Sequence, residues 1–263
     1  MKQSKDRLDI ILYEQGHFPS REKAKAAVMA GIVEVDGERA LKPGTMVSHE
    51  AGISVIAPAC PYVSRGGLKL AGALDSFGLT VEGKTAVDIG ASTGGFTDCM
   101  LQRGAIRVYS VDVGYGQLDW KLRNDPRVVN MERINIRLMD PAQIPEKADI
   151  VTVDVSFISL KLVLPTAAAL MGDGGHIICL VKPQFEAGRA QVGKKGIVRD
   201  PRVHKEVILN AIGYAQENRL AARALIPSPV RGAKGNTEFL MLLSRAHPGA
   251  DEGPGLDIDH VLD

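Results

Sequence analysis

Cysteine is scarce, at three residues in 263, and Cys60, Cys99 and Cys179 stand far apart with no paired spacing. That argues against a disulfide framework and a cysteine-built zinc site, and predicts a reducing compartment, the cytoplasm. The six histidines fall at no metal or triad spacing, so no metal centre is expected. Aromatic residues make up only 5%, and no stretch approaches the roughly 18 uninterrupted apolar residues of a membrane helix. Residues 1–10 are polar and charged where a secretory signal places its apolar run, so neither ordinary secretion nor membrane spanning is expected. Net charge is nearly absent too. Lys and Arg number 32 against 31 Asp and Glu, leaving +1, so any surface for nucleic acid has to be local.

What is present is a globular composition, 45% hydrophobic and 24% charged, in a chain long enough for one large domain or two unequal ones. Leu8, Ile11 and Leu12 recur at helical spacing, and Ser20 is a good N-cap for a second helix that runs through Ala24, Ala27 and Val28 to Gly31. Ile32–Val35 and Arg39–Leu41 flank Asp36-Gly37, a strong hairpin signal, and a further strand is predicted at Ile53–Ile56. These elements make a small α+β unit over residues 1–58. The prolines Pro58 and Pro61 disfavour both helix and central strand, which places a linker at residues 59–64.

From residue 65 to 245 the pattern changes. A helix over Gly67–Phe77 is followed by strand-like and helix-like runs in alternation: Ala86–Ile89, Phe96–Arg103, Arg107–Val111, Val128–Met131, Ile150–Val155, Leu160–Leu170 and His176–Val181. Such alternation predicts an α/β fold with a doubly wound, Rossmann-like parallel sheet. Asp200-Pro201 opens a helix that runs to Asn218, and Ala222–Ile226 and Glu238–Leu243 are late strands, the last expected to run antiparallel. Residues 246–263 carry five acidic residues and no Lys or Arg, and read as a loosely ordered tail.

Asp88-Ile-Gly90-Ala-Ser92-Thr93-Gly94-Gly95-Phe96 joins the first strand of the sheet to its helix, where glycines permit the close backbone approach a nucleotide requires. A dinucleotide fingerprint would put glycine where Ser92 stands, which disfavours a nicotinamide oxidoreductase. The loop fits S-adenosyl-L-methionine better, with Asp88 managing polar groups of its amino-acid end and Asp112, at the end of the second strand, accepting the ribose hydroxyls. Asp154 and Lys182 end the fourth and fifth strands and so face the ligand crevice of a parallel sheet. An antiparallel final strand brings Glu238 to the same edge, and Lys69 reaches it from the preceding helix. Residues 182–234 hold eleven Lys or Arg against four Asp or Glu, which suits a polyanion, whereas the first sixty residues are balanced at eight of each. Trp120 reads as core.

Arg7-Leu8-Asp9, Ser20-Arg21, Gly31–Gly37 and Lys42-Pro43-Gly44 closely resemble the S4-type RNA-binding domain. Tyr62–Lys69 followed by the Asp88 loop resembles the TlyA family of ribosomal RNA methyltransferases, and the likeness extends to about Ser244. The resemblance implies an S4-type domain joined to an FtsJ-like methyltransferase domain that uses S-adenosylmethionine. It also implies a catalytic Lys-Asp-Lys-Glu tetrad for ribose 2'-O-methylation, falling here on Lys69, Asp154, Lys182 and Glu238. The strings Val-Asp154-Val-Ser-Phe157, Val-Lys182-Pro-Gln-Phe185 and Gly235-Asn-Thr-Glu238-Phe-Leu all fit.

The family implies cytidine 2'-hydroxyls of large-subunit RNA as substrate, with small-subunit RNA as a second target in its longer members, and ribosomal subunits as partners. A monomer with no obligate protein partner is expected. The family is also labelled haemolysin, but nothing in the pattern reads as a membrane helix or a barrel. The expected cofactor contacts are Asp88, Gly90, Ser92, Thr93, Gly94, Gly95, Phe96, Asp112 and Phe157, with Phe157 serving either the cofactor or an extruded base. Arg7, Arg21, Lys23, Lys25 and Arg65 are candidate RNA contacts. Lys182 takes the central chemical role with Asp154 and Glu238 holding its ammonium, and either removes the hydroxyl proton or steadies the developing alkoxide. A competing reading is a ribosome assembly factor with vestigial transfer activity, which the intact tetrad and loop disfavour.

Overall fold

The computed structural model describes residues 5–29, 31–55, 60–188, 191–194, 196–246 and 256–262. Of the expected linker, residue 59 lies outside these, as do 247–255 and 263 of the expected tail. The chain divides into two compact units, Met1–Pro61 and Tyr62–Asp263.

The first unit runs β1 (Lys5–Arg7), α1 (Leu8–Glu14), α2 (Arg21–Met29), β2 (Val33–Val35), β3 (Glu38–Arg39), β4 (Met46–Ser48) and β5 (Ile53–Val55). Its core is the predicted apolar stripe, Leu8, Ile11 and Leu12 of α1 against Ala24, Ala27 and Val28 of α2, closed by Val33 and Val47. The β2–β3 turn is tight because Asp36 (φ 52°) and Gly37 (φ 85°) both adopt the left-handed conformation a two-residue hairpin loop requires. Pairing of β1 with β4 was not foreseen. Lys5-Asp6-Arg7 has no apolar alternation to betray a strand, and its partner across the register supplies the only buried residue of the pair, Val47.

The second unit runs α3 (Gly66–Phe77), β6 (Thr85–Ile89), α4 (Gly95–Gln102), β7 (Arg107–Val111), α5 (Trp120–Arg123), β8 (Val128–Met131), β9 (Ala148–Val153), α6 (Leu164–Leu170), β10 (Met171–Val181), α7 (Pro183–Glu186), α8 (Pro201–Glu217), β11 (Leu220–Pro227), β12 (Phe239–Arg245) and α9 (Ile258–Leu262). Seven strands form one sheet in the order β11-β12-β10-β9-β6-β7-β8. The pairs from β10 to β8 are parallel, and β12 is antiparallel to both neighbours.

Side-chain alternation splits the core. Val87 and Ile89, Val151 and Val153, and Ile177 and Cys179 pack with α6, α8 and α9, whereas Ala86, Val108, Ile150 and Ile178 pack with α3 and α4. Both faces of the sheet are thus covered, as a parallel sheet demands. α8 starts as predicted, with Pro201 in its first turn and the Asp200 carboxylate accepting from Arg202 N at 2.9 Å. From the first strand, β6, the chain moves to β7 and β8 on one side and returns to β9 and β10 on the other. The switch point, where open sheets bind ligands, therefore lies between β6 and β9. The expectation of a loose tail is corrected at its end. Residues 258–262 form a helix whose Ile258 joins the core, and Asp259 pairs with Lys205 at 2.6 Å, so apolar spacing overrides the acidic composition there.

Candidate active site

A cavity of about 540 Å³ opens at the carboxyl edge of the sheet, lined on one side by the loop from Gly90 to Phe96 and on the other by Asp154, Lys182 and Glu238. Gly90 has φ 85°, and a Cβ there would lie 2.5 Å from the Asp154 carbonyl oxygen, so only glycine lets the ends of β6 and β9 approach this closely. Ser92 and Gly94 are also left-handed, at φ 49° and 93°. Gly90, Ser92, Thr93, Gly95 and Phe96 line the cavity.

Asp88 does not line it. It is fully buried, on the α4 face of the sheet, and every hydrogen bond it makes is inward. One oxygen accepts from Thr97 N (2.9 Å) and Thr97 Oγ1 (2.7 Å), the other from Thr152 Oγ1 (2.9 Å). Burial pushes its carboxyl up to about 6, against the pull of the threonine hydrogen bonds. Asp88 thus braces the loop from below. Asp112, beyond the end of β7, accepts from Ser92 N at 2.7 Å and Gly114 N at 2.6 Å, and so holds the crest of the same loop. A carboxylate has acceptor sites left after two such bonds.

The four tetrad residues share the cavity, in two ion pairs. Lys182 Nζ lies 2.6 Å from Asp154 Oδ1 and donates to Ser156 Oγ at 3.1 Å. Lys69 Nζ donates to Glu238 Oε2 at 2.6 Å, and Gln184 Nε2 donates to Glu238 Oε1 at 2.8 Å. The expectation that Glu238 holds the Lys182 ammonium is therefore corrected. Glu238 enters ahead of β12 and meets the lysine of α3 first, leaving Ser156 as the second partner of Lys182. Gly232 is packed so closely on the Glu238 carboxylate that any side chain there would displace it.

Phe157 lines the cavity and is 90% exposed, on a left-handed backbone (φ 63°), with its ring 4.9 Å from the Phe185 ring. Arg65, exposed just ahead of α3, stands on the same rim. In the first unit Arg7 and Arg21 both clasp the buried Asp9, at 2.9 and 2.8 Å. Burial works to raise that carboxyl, and the two arginines outweigh it, leaving it below the ordinary range. Arg21 and Lys25 lie one turn apart on a single face of α2, while Lys23 points away from them. Trp120 is not core: it is 76% exposed at the start of α5.

Ser156, Gln184 and Phe185 were not singled out from sequence, although all three line the cavity. The signal was present. After both Asp154 and Lys182 comes a polar residue two places on and phenylalanine three places on, so two sheet-edge loops repeat one pattern.

Comparison with known proteins agrees with this arrangement. The FtsJ-like methyltransferase family matches residues 62–245, and the S4 domain matches residues 6–53. A Bacillus subtilis protein provisionally named rRNA methyltransferase YqxC is 48% identical over 100% of this chain and 93% of its own length. The 16S/23S rRNA (cytidine-2'-O)-methyltransferase TlyA of Mycobacterium tuberculosis is 43% identical over 95% of this chain and 94% of its own. A solved structure from Streptococcus thermophilus, titled provisionally as a hemolysin, superposes with a TM-score of 0.78 at 46% identity, covering 99% of this chain and 95% of that one. With its S4 domain ahead of a methyltransferase domain whose tetrad shares one cavity, the chain belongs to the TlyA family of FtsJ-like methyltransferases.

Proposed function

We propose that the protein methylates the 2'-hydroxyl of cytidine in ribosomal RNA, in the large subunit and, as the name of the M. tuberculosis relative states for that protein, in the small subunit as well. The observation that carries this reading is the convergence of two lysine–carboxylate pairs on one cavity whose opposite wall is the glycine-rich loop.

The residues fit S-adenosylmethionine as the cofactor. The loop from Gly90 to Phe96 presents backbone to the cavity, and Asp112, which holds the loop's crest without itself lining the cavity, keeps acceptor sites suited to ribose hydroxyls. When bound, it supplies an electrophilic methyl group. Asp88 acts through the loop it braces rather than by touching the cofactor. Lys182 acts on the hydroxyl: an ammonium has three donors, two are held by Asp154 and Ser156, and the third is left for a substrate oxygen. The hydroxyl proton passes to water in the open cavity, and the negative charge growing on the oxygen as it leaves is steadied by a donor already in place. Lys69, fixed by Glu238, positions the ribose or its phosphate, and Phe157 with Phe185 offers the base an apolar face.

Incubating undermodified ribosomal subunits with methyl-labelled S-adenosylmethionine and mapping the product should reveal a 2'-O-methylcytidine. Lys182→Ala should lower turnover by about 10²- to 10⁴-fold, and Lys182→Arg should not restore it, because a guanidinium cannot reproduce the compact ammonium. Near-normal transfer by the alanine variant would refute the role, and label at a base or protein would refute the reaction.

A further inference from the structure

A second cavity, of about 500 Å³, adjoins the first and has a different character. Arg199, Arg231 and Lys234 line it beside His204 and Thr237, and among the described residues no carboxylate does. Among the described residues none of these three cations forms an ion pair. Asp200, next in sequence to Arg199, is taken by Arg202 at 3.0 Å.

The frame beneath these cations is built rather than incidental. Asn236, almost wholly buried, accepts from Val198 N at 3.1 Å and donates to Gly196 O at 2.9 Å, pinning the 196–198 stretch to the loop that precedes β12. The buried His204 ring engages Val198 O at 3.1 Å and meets Phe239 edge-on at 5.6 Å. Arg231 spends one donor on Thr237 Oγ1, at 2.9 Å. Lys234 is held at φ 59°, a conformation that costs a lysine energy and persists only where its surroundings impose it. Three cations without an ion-pair partner among the described residues, on such a frame, suit an anion.

Arg231 also lines the first cavity, on the wall next to Glu238. We propose that the second cavity binds a phosphodiester of the RNA strand adjacent to the methylated ribose, so that Arg231 bridges the reacting nucleotide and its neighbour. The proposal rests on the reading of the first cavity as the 2'-hydroxyl site. Free phosphate offers the same chemistry, and the experiment separates the two.

Binding of a ribosomal RNA fragment to the full chain is measured by anisotropy over a range of salt, for the wild type, Arg199→Gln/Lys234→Gln, and the charge-keeping Arg199→Lys/Lys234→Arg. The neutral double variant should bind RNA about tenfold more weakly, with a log–log salt slope shallower by about 0.7 for each phosphate no longer neutralised. The charge-keeping variant should keep the wild-type slope, and S-adenosylmethionine affinity should be the same in all three. An unchanged slope in the neutral variant overturns the proposal. So does calorimetry in which inorganic phosphate binds the wild type and not the neutral variant while the RNA slope stays unchanged, because the site then takes a free anion. Failure of the wild type to methylate ribosomal RNA would refute the proposed reaction, yet the slope would still decide whether this cavity holds RNA.

Discussion

Asp88 shows how far a residue's role can depart from its position in a motif. It stands two places before Gly90, where a loop acid is expected to meet the ligand, but alternation along β6 turns it into the α4 face among Thr97, Thr152 and Ser110. Its carboxyl titrates at about 6 when folded, against an ordinary value of 3.8. Below the ordinary value the group is neutral in both the folded and unfolded chain, and its burial is tolerated. As pH rises through about 6 the folded protein must hold a buried charge, and relative stability falls by about 3 kcal/mol. Asp88→Asn keeps the shape without the charge. Denaturant midpoints measured from pH 4 to 7 should show the wild type losing ground to the variant as pH rises, and a gap that stays constant with pH would contradict the shift. Lys182 teaches a related lesson. Its place at the crevice followed from sequence, but its partners were settled by which side chain reaches which, and Lys69 claims Glu238.

Among the elements, α7 and the loop after β9 carry the cavity's second wall, and Glu186 ties them together. Its oxygens accept from Ser159 Oγ and Leu160 N, both at 2.7 Å. Burial raises its carboxyl, which the two hydrogen bonds oppose. The tie joins the segment bearing Ser156 and Phe157 to the one bearing Lys182, Gln184 and Phe185. Glu186→Ala should loosen both together, lowering kcat roughly ten- to a hundredfold through misplacement while leaving S-adenosylmethionine affinity near the wild-type value. Glu186→Gln, which keeps one acceptor, should recover part of the loss. A Tm decrease with kcat unchanged would make the residue structural only. Nothing in the sequence marks Glu186, because a glutamate one turn past a strand end is ordinarily solvated.

At the scale of the molecule, each unit has its own core: α1 and α2 close over one, and the sheet with its helices encloses two more. The tetrad and the cofactor loop both belong to the second unit. Deleting residues 1–58 should therefore leave S-adenosylmethionine binding largely intact and abolish methylation of ribosomal subunits, read by calorimetry and by label transfer. Full transfer by the truncated protein would show that the S4 domain is dispensable for the substrate.

Apart from the tetrad, whose membership rested on strand ends together with the family resemblance, the main alternation of strands and helices in the second unit, the hairpin at Asp36-Gly37 and the glycine loop were legible in the sequence, because each depends on periodicity or turn chemistry within a few residues. The exposure of Trp120, the helix at Ile258–Leu262, the β1–β4 pairing and the inward turn of Asp88 were not. They depend on what lies across from a residue in space, which local pattern does not record. The same holds for the site: the sequence by itself determined that two lysines and two carboxylates reach one sheet edge. Only the tertiary structure decided that they pair as Lys69 with Glu238 and Lys182 with Asp154, because the shortest approaches between side chains are set by how α3 and β12 pack against the sheet.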